Sequence, residues 1–212
     1  MIKVLSAVRT GSKMKVAFDD GTYLHIPLNI FNEFGCVQGT SIYENKLTYI
    51  KLLCETAAAK ETAFRILSIR SHSEYELKVK LQKKEYSSEA IKDTLEFLRK
   101  NDYLNDRVFA ERYLEINIKK KGIFKIRREL ESKKIFPAII SEIFRNSGLA
   151  ENEAETAEIL IHKKLKESRF SLMNDQKKKE ALFRFLASRG FSRETSFNTI
   201  KKILSSFEIS DW

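Results

Sequence analysis

Three segments of the chain repeat one pattern and constrain its fold more than any other feature. They are EYELKVKLQKKEY at 74–86, FKIRRELESKKIF at 124–136 and KEALFRFLASRGF at 179–191. When Leu77, Ile126 and Leu182 are superposed, a leucine follows four residues later in each segment, on the same helix face. Similarity at a period of about 50 residues predicts a repeat array. Because units this small bury little core alone, we expect them to stack.

The apolar spacing predicts three helices in each unit, over 56–70, 73–84 and 87–100, then 106–119, 123–134 and 136–146, then 151–168, 175–189 and 192–206. Terminal residues support these bounds. Ser73 and Glu76 fit a capping box. Pro137 suits a first turn, and Gly148 and Gly190 suit helix ends.

The first 50 residues have a different pattern. Met14, Val16 and Phe18 alternate with Lys13, Lys15 and Ala17, which is the periodicity of a strand. The Asp20-Gly21 pair indicates a hairpin turn, and the returning strand should end at Pro27, which has no N–H for a ladder hydrogen bond. We therefore predict a mainly α fold of tandem three-helix repeats, elongated and stacked, with a small β-rich N-terminal subdomain. The expected parts are a β-rich region at 1–50, repeats at 51–103 and 104–148, and a third repeat with a C-terminal tail at 149–212.

Positive charge indicates the class of partner. The chain has 39 Lys and Arg against 29 Asp and Glu, a net charge of +10, which favours an anionic partner. Cations concentrate on the second helix of each unit, so equivalent helices could form one basic stripe that binds phosphates or an acidic groove. The alternative is that these side chains simply cover a solvated surface. The candidate binding residues are Arg70, Lys125, Arg127, Arg128, Arg184 and Arg189.

Signs of catalysis are missing from the sequence. The three histidines lie far apart, and neither a GxG pair nor a GxxxxGK[ST] loop occurs. Acid pairs such as Glu74 with Glu76 or Glu153 with Glu155 could bind Mg²⁺, but charges on a solvated face, or placement in a first helical turn, explain them better. We expect no enzyme activity, metal or cofactor. Two cysteines without metal spacing, and no apolar run approaching about 18 residues, predict a cytoplasmic protein without membrane contact.

Ordered motifs resemble the RecX family. AFRILSIRSHSEYELKVKL at 63–81, NDYLNDRVFAERYLE at 101–115 and KKKGIFKIRRELESKKI at 119–135 are similar to successive family segments, and ALFRFLASRGF at 181–191 is similar to the final repeat. The chain departs from the family pattern at two glycines, which are Asp102 and Lys134 here.

The resemblance implies a non-enzymatic regulator of RecA in recombination, DNA repair and the SOS response. Such a protein binds the groove of the RecA–DNA filament and inhibits ATP hydrolysis, strand exchange and coprotease activity. The implied partners are the RecA filament and the backbone of single- or double-stranded DNA, and we expect a monomer. Two alternatives stay open: a helix-turn-helix-like module that binds DNA without RecA, and a structural adaptor whose charge serves solubility.

Overall fold

The computed structural model of the chain describes residues 1–147 and 149–209. It is mainly helical with a small N-terminal antiparallel sheet, which confirms the predicted fold class. The chain divides into two compact units, Met1–Asn105 and Asp106–Trp212, and each is described by itself. The finer division into three repeats with the bounds given above stays a proposal.

The first unit begins with a four-stranded sheet. Its strands are β1 (Ile2–Thr10), β2 (Lys13–Phe18), β3 (Tyr23–Pro27) and β4 (Ser41–Ile42), all antiparallel in the order β3-β2-β1-β4. The predicted hairpin at Gly21 and the strand end at Pro27 are confirmed. Helix α1 (Leu28–Phe34) follows and ends at Gly35 in the left-handed conformation. Val16, Phe18 and Ile26 fill the core beneath the sheet.

A long helix, α2 (Glu44–Ile69), joins the sheet to the first repeat. The helix predicted from 56 therefore begins earlier, and the expected boundary between 50 and 51 falls inside it. Neither Gly nor Pro interrupts this stretch. Leu47 and Ile50 pack in the core of the sheet, whereas Ala63 packs against α3 (Glu74–Gln82) and α4 (Ser88–Lys100). One helix thus serves two cores, which local sequence patterns do not reveal.

The second unit is helical throughout its described residues. Its helices are α5 (Asp106–Asn117), α6 (Ile123–Ser132), α7 (Pro137–Asn146), α8 (Leu149–Leu165), α9 (Ser168–Ser171), α10 (Asp175–Ser188) and α11 (Arg193–Ile209). One apolar cluster contains residues of α5, α6 and α7, and another contains residues of α8, α10 and α11. The helix predicted over 151–168 ends instead at Leu165, before the short α9. Gly148 lies outside the described residues, so its predicted position at a helix end is untested.

The repeat register predicted from sequence is confirmed in the three second helices, α3, α6 and α10. The aligned residues Leu77, Ile126 and Leu182 are 0% exposed. The residues four positions later, Leu81, Leu130 and Leu186, are also 0% exposed. Each second helix therefore buries one apolar edge in a separate apolar cluster, and the charged residues between these positions lie outside it.

All three second helices end in the same left-handed turn. Glu85, Lys134 and Gly190 occupy equivalent positions with φ of 63°, 59° and 82°. The amide of the following residue donates to the carbonyl of the buried leucine in each case, at 3.5 Å, 3.2 Å and 3.2 Å. This pattern is the Schellman motif, which usually has glycine at the left-handed position. Asp102 ends α4 in the same way, with φ 57°. Both positions without the family glycine therefore keep the left-handed geometry.

Glycine at these turns should stabilise the protein. A side chain in the left-handed region costs about 1 kcal/mol that glycine avoids. We expect Glu85→Gly to raise the free energy of unfolding by about 0.5–1 kcal/mol. Lys83→Gly is the control, because Lys83 has a helical φ of −64°, and there glycine should be destabilising. Urea unfolding followed by circular dichroism measures both. Equal effects of the two substitutions would contradict the assigned turn.

Candidate partner-binding surface

The start of α6 and the end of α10 meet backbone to backbone. The amide of Gly122 donates to the carbonyl of Arg189 at 2.9 Å, and the amide of Phe124 donates to the carbonyl of Gly190 at 3.2 Å. A Cβ at Gly122 would approach backbone atoms of Gly190 and Phe191 closer than 3.0 Å, and one at Gly190 would do the same with Lys125. Only glycines fit this contact, which we call the repeat junction.

The repeat junction also provides the cap of α6. Gly122 is the N-cap residue and has no side chain to accept a hydrogen bond. The amide of Ile123 donates instead to Oε1 of Glu153 at 3.1 Å, while Oε2 of Glu153 accepts from the hydroxyl of Thr195 at 3.2 Å. Three amides at the start of α6 are thus satisfied by atoms outside that helix. The sequence did not indicate this role for Glu153, because its partners are distant along the chain.

Removal of the Glu153 carboxylate should loosen the repeat junction. Glu153→Ala deprives the Ile123 amide of its acceptor, and we expect a loss of about 1–2 kcal/mol of unfolding free energy. Glu155→Ala is the matched control, because Glu155 is exposed on the same helix. Thermal unfolding compares the variants, and added Mg²⁺ should not stabilise the native protein. Equal losses in both variants, or stabilisation by Mg²⁺, would contradict the capping role.

Two of the predicted binding residues hold the repeat junction together. Nζ of Lys125 donates to the carbonyl of Ser188 at 3.0 Å, and Nη1 of Arg189 donates to the carbonyl of Lys120 at 3.2 Å. The Arg189 guanidinium also lies 4.6 Å from the centre of the Phe185 ring. Both side chains are partly buried. Both cations therefore bind carbonyl groups of the protein itself, Lys125 at the end of α10 and Arg189 just before α6.

The other predicted residues differ in their availability. Arg127 is partly buried, with its guanidinium 5.0 Å from the centre of the Phe144 ring. Arg128 and Arg184 are exposed at equivalent positions of α6 and α10. Arg70 lies in the first unit, where Nη1 donates to the carbonyl of Ser71 at 2.8 Å and approaches Glu76 at 3.4 Å. A stripe that includes all six residues remains a prediction, and its exposed members are Arg70, Arg128 and Arg184.

A groove of about 870 Å³ lies beside the repeat junction, between α6 and the segment that joins α10 to α11. We call it the junction groove, and Phe124, Arg128, Arg193 and Ser196 are among its lining residues. Sequence reasoning missed this groove, because the contact between α6 and the end of α10 creates it.

One acidic residue, Glu129, also lines the junction groove. Burial raises its pKa, but hydrogen bonds from Lys121 and Tyr113, both at 2.6 Å, outweigh burial and hold the pKa below its usual range. Glu129 is therefore ionised at neutral pH and already paired with a cation. The groove keeps a positive balance from Lys125, Arg128 and Arg193.

A second groove, of about 760 Å³, lies between α10 and α11. Its walls are largely apolar, with Phe183, Phe197 and Leu204 among them, and Arg184 lies at its edge with Lys179 and Lys201. Both grooves include phenylalanines, and they differ in that Ser132, Ser188, Ser192 and Ser196 line the junction groove beside Arg128, whereas the groove beside Arg184 includes Ile200 and Leu204.

Two kinds of site are not seen in the described part of the chain. Within residues 1–147 and 149–209, no group of three or more His, Cys, Asp or Glu residues has the geometry to hold a metal ion. In the same residues, no helix has the length and apolar character needed to cross a membrane.

Known proteins with similar sequences and folds agree with these features. The model of the first three-helix domain of RecX matches residues 59–98. "Regulatory protein RecX" of Chlorobium phaeobacteroides (strain BS1) is 33% identical over 150 residues, covering 70% of this chain and 95% of that protein. The protein of the same name from Clostridium botulinum (strain Alaska E43 / Type E3) is 26% identical over 204 residues, covering 96% of this chain and 95% of that protein.

Solved structures show the same fold. A crystal structure of regulatory protein RecX covers 95% of this chain and 100% of its own, with a TM-score of 0.72 and 22% identity. A crystal structure of RecX from Lactobacillus salivarius covers 70% of this chain and 96% of its own, with a TM-score of 0.58. Fold, motifs and sequence identity lead to one conclusion: the chain belongs to the RecX family of regulatory proteins.

Proposed function

We propose that the protein is a non-enzymatic regulator that binds RecA and its DNA filament and inhibits recombinase, ATPase and coprotease activity. Membership of the RecX family is the observation that carries this proposal. The net charge of +10 supports it, because a filament that contains DNA presents a dense array of phosphates.

The placement of exposed arginines supports a contact along the second unit. Arg128 on α6 and Arg184 on α10 are both exposed. Equivalent positions on successive repeats allow one extended partner to be contacted at intervals, as in other repeat proteins. Lys125, Arg127 and Arg189 add charge to the same region while contacting neighbouring atoms of the chain.

Filament binding can be measured directly by sedimentation. RecA assembled on single-stranded DNA with a slowly hydrolysed ATP analogue is pelleted with increasing amounts of the protein, beside bare DNA and free RecA. The proposal predicts co-sedimentation with the filament at concentrations where bare DNA retains little protein. Equal binding to bare DNA and filament would support the alternative of a RecA-independent DNA-binding module. Absence of binding to all three would support a structural adaptor.

A further inference from the structure

The junction groove has the charge of an anion-binding site. Arg128 and Arg193 are exposed on its two sides, and neither forms an ion pair within residues 1–147 and 149–209. The single carboxylate among its lining residues, Glu129, is paired with Lys121 at 2.6 Å. Two available guanidinium groups therefore face a groove whose acidic group is already neutralised, and guanidinium groups match the geometry of phosphate oxygens.

A buried hydroxyl gives an independent indication of a ligand. Ser196 lines the groove, is 1% exposed, and its Oγ has no hydrogen-bond partner in the described residues. Buried hydroxyls are normally paired, since an unpaired one is destabilising. Ser196 lies in the first turns of α11, whose N-terminus carries partial positive charge. An anion in the groove would give this hydroxyl the acceptor that the protein does not provide.

The aromatic ring of Phe124 also lines the junction groove. Phe124 is 57% exposed, and its backbone is fixed by the hydrogen bond from its amide to Gly190. The ring is therefore accessible from the groove. A flat ring beside arginines is the combination that binds single-stranded nucleic acid, where the ring stacks on a base and the cations contact the backbone.

We propose that the junction groove binds a nucleotide of single-stranded nucleic acid. The phosphate lies between Arg128, Arg193 and the Ser196 hydroxyl, and the base stacks on Phe124. The groove volume of about 870 Å³ has room for one nucleotide. The inference deepens the proposed function, on which its biological meaning rests, by assigning a direct DNA contact to one place. It is tested without RecA, so the two can fail separately.

The first test measures affinity for a fluorescently labelled oligothymidylate by anisotropy. The double variant Arg128→Glu with Arg193→Glu should bind at least tenfold more weakly than the native protein. The slope of log K against log salt concentration should become shallower by about 0.7 for each phosphate contact that is removed. Arg112→Glu with Lys166→Glu is the matched control, because both residues are exposed in the same unit and outside the groove, Arg112 on α5 and Lys166 in the turn after α8. Equal losses in the two double variants would overturn the site.

The second test distinguishes the contact with the base from the contact with the phosphate. Phe124→Leu keeps an apolar side chain but removes stacking, so affinity should fall about fivefold for oligothymidylate and remain unchanged for an abasic oligonucleotide of equal length. Ser196→Ala should weaken both oligonucleotides while leaving thermal stability equal or higher, since it removes an unpaired buried hydroxyl. Unchanged affinity in both variants overturns the proposal.

Discussion

Alanine at Gly190 should destabilise the second unit by about 2–5 kcal/mol, because two effects combine. The backbone at Gly190 is left-handed, with φ of 82°, which a side chain tolerates poorly. The added methyl group would also overlap the Lys125 backbone, so α6 and the end of α10 must move apart. That separation breaks the hydrogen bonds that satisfy the start of α6.

Two further glycines separate these effects. Gly35→Ala introduces left-handed strain without overlap, because nothing lies within 4 Å of the new methyl group. Gly122→Ala introduces overlap without strain, because its φ is −76°. Hydrogen exchange at the Phe124 amide reports the state of the repeat junction. Exchange should accelerate in Gly122→Ala and Gly190→Ala and stay unchanged in Gly35→Ala. Native protection in all three variants would show that the repeat junction is not close-packed.

Reversal of the charges at Arg128 and Arg184 should weaken filament inhibition on the order of tenfold to a hundredfold, because two cationic contacts are replaced by repulsion. The structure selects this pair over the neighbouring Arg127. Arg127 lies against Phe144, so a glutamate there would disturb packing as well as binding. Arg128 and Arg184 are exposed, and their reversal should leave the fold intact.

The readout is the concentration of protein that halves ATP hydrolysis by RecA on single-stranded DNA. Arg112→Glu with Lys166→Glu provides the control for the change of net charge. Circular dichroism verifies that both double variants are folded. An unchanged half-inhibition concentration for the Arg128 and Arg184 variant, at moderate salt, would remove these residues from the binding surface.

The sequence predicted those parts of the fold that depend on neighbours along the chain. The capping box of Ser73 and Glu76 is present as expected, with the Glu76 amide 3.2 Å from the serine Oγ. The repeat register correctly identified the six fully buried positions of the second helices. Both results follow from helical spacing, which is visible in a few consecutive residues.

Contacts between distant segments were not predictable in this way. The approach of Gly122 to Gly190 joins residues far apart in sequence, and a glycine before a helix has several possible explanations. The same limit applies to the cations. Lys125 and Arg128 look alike in the sequence, but one donates to a carbonyl of another helix and the other is exposed. Charge counts indicated a class of partner, whereas the fold determines which charges are available to it.

The most direct test of the proposed function is a titration of the native protein into RecA that is hydrolysing ATP on single-stranded DNA, with a DNA-only binding assay across the same range of salt. We expect inhibition at amounts of protein well below those of RecA, at salt concentrations where binding to bare DNA is weak. Unchanged ATP hydrolysis by RecA under conditions where the protein is folded would contradict it.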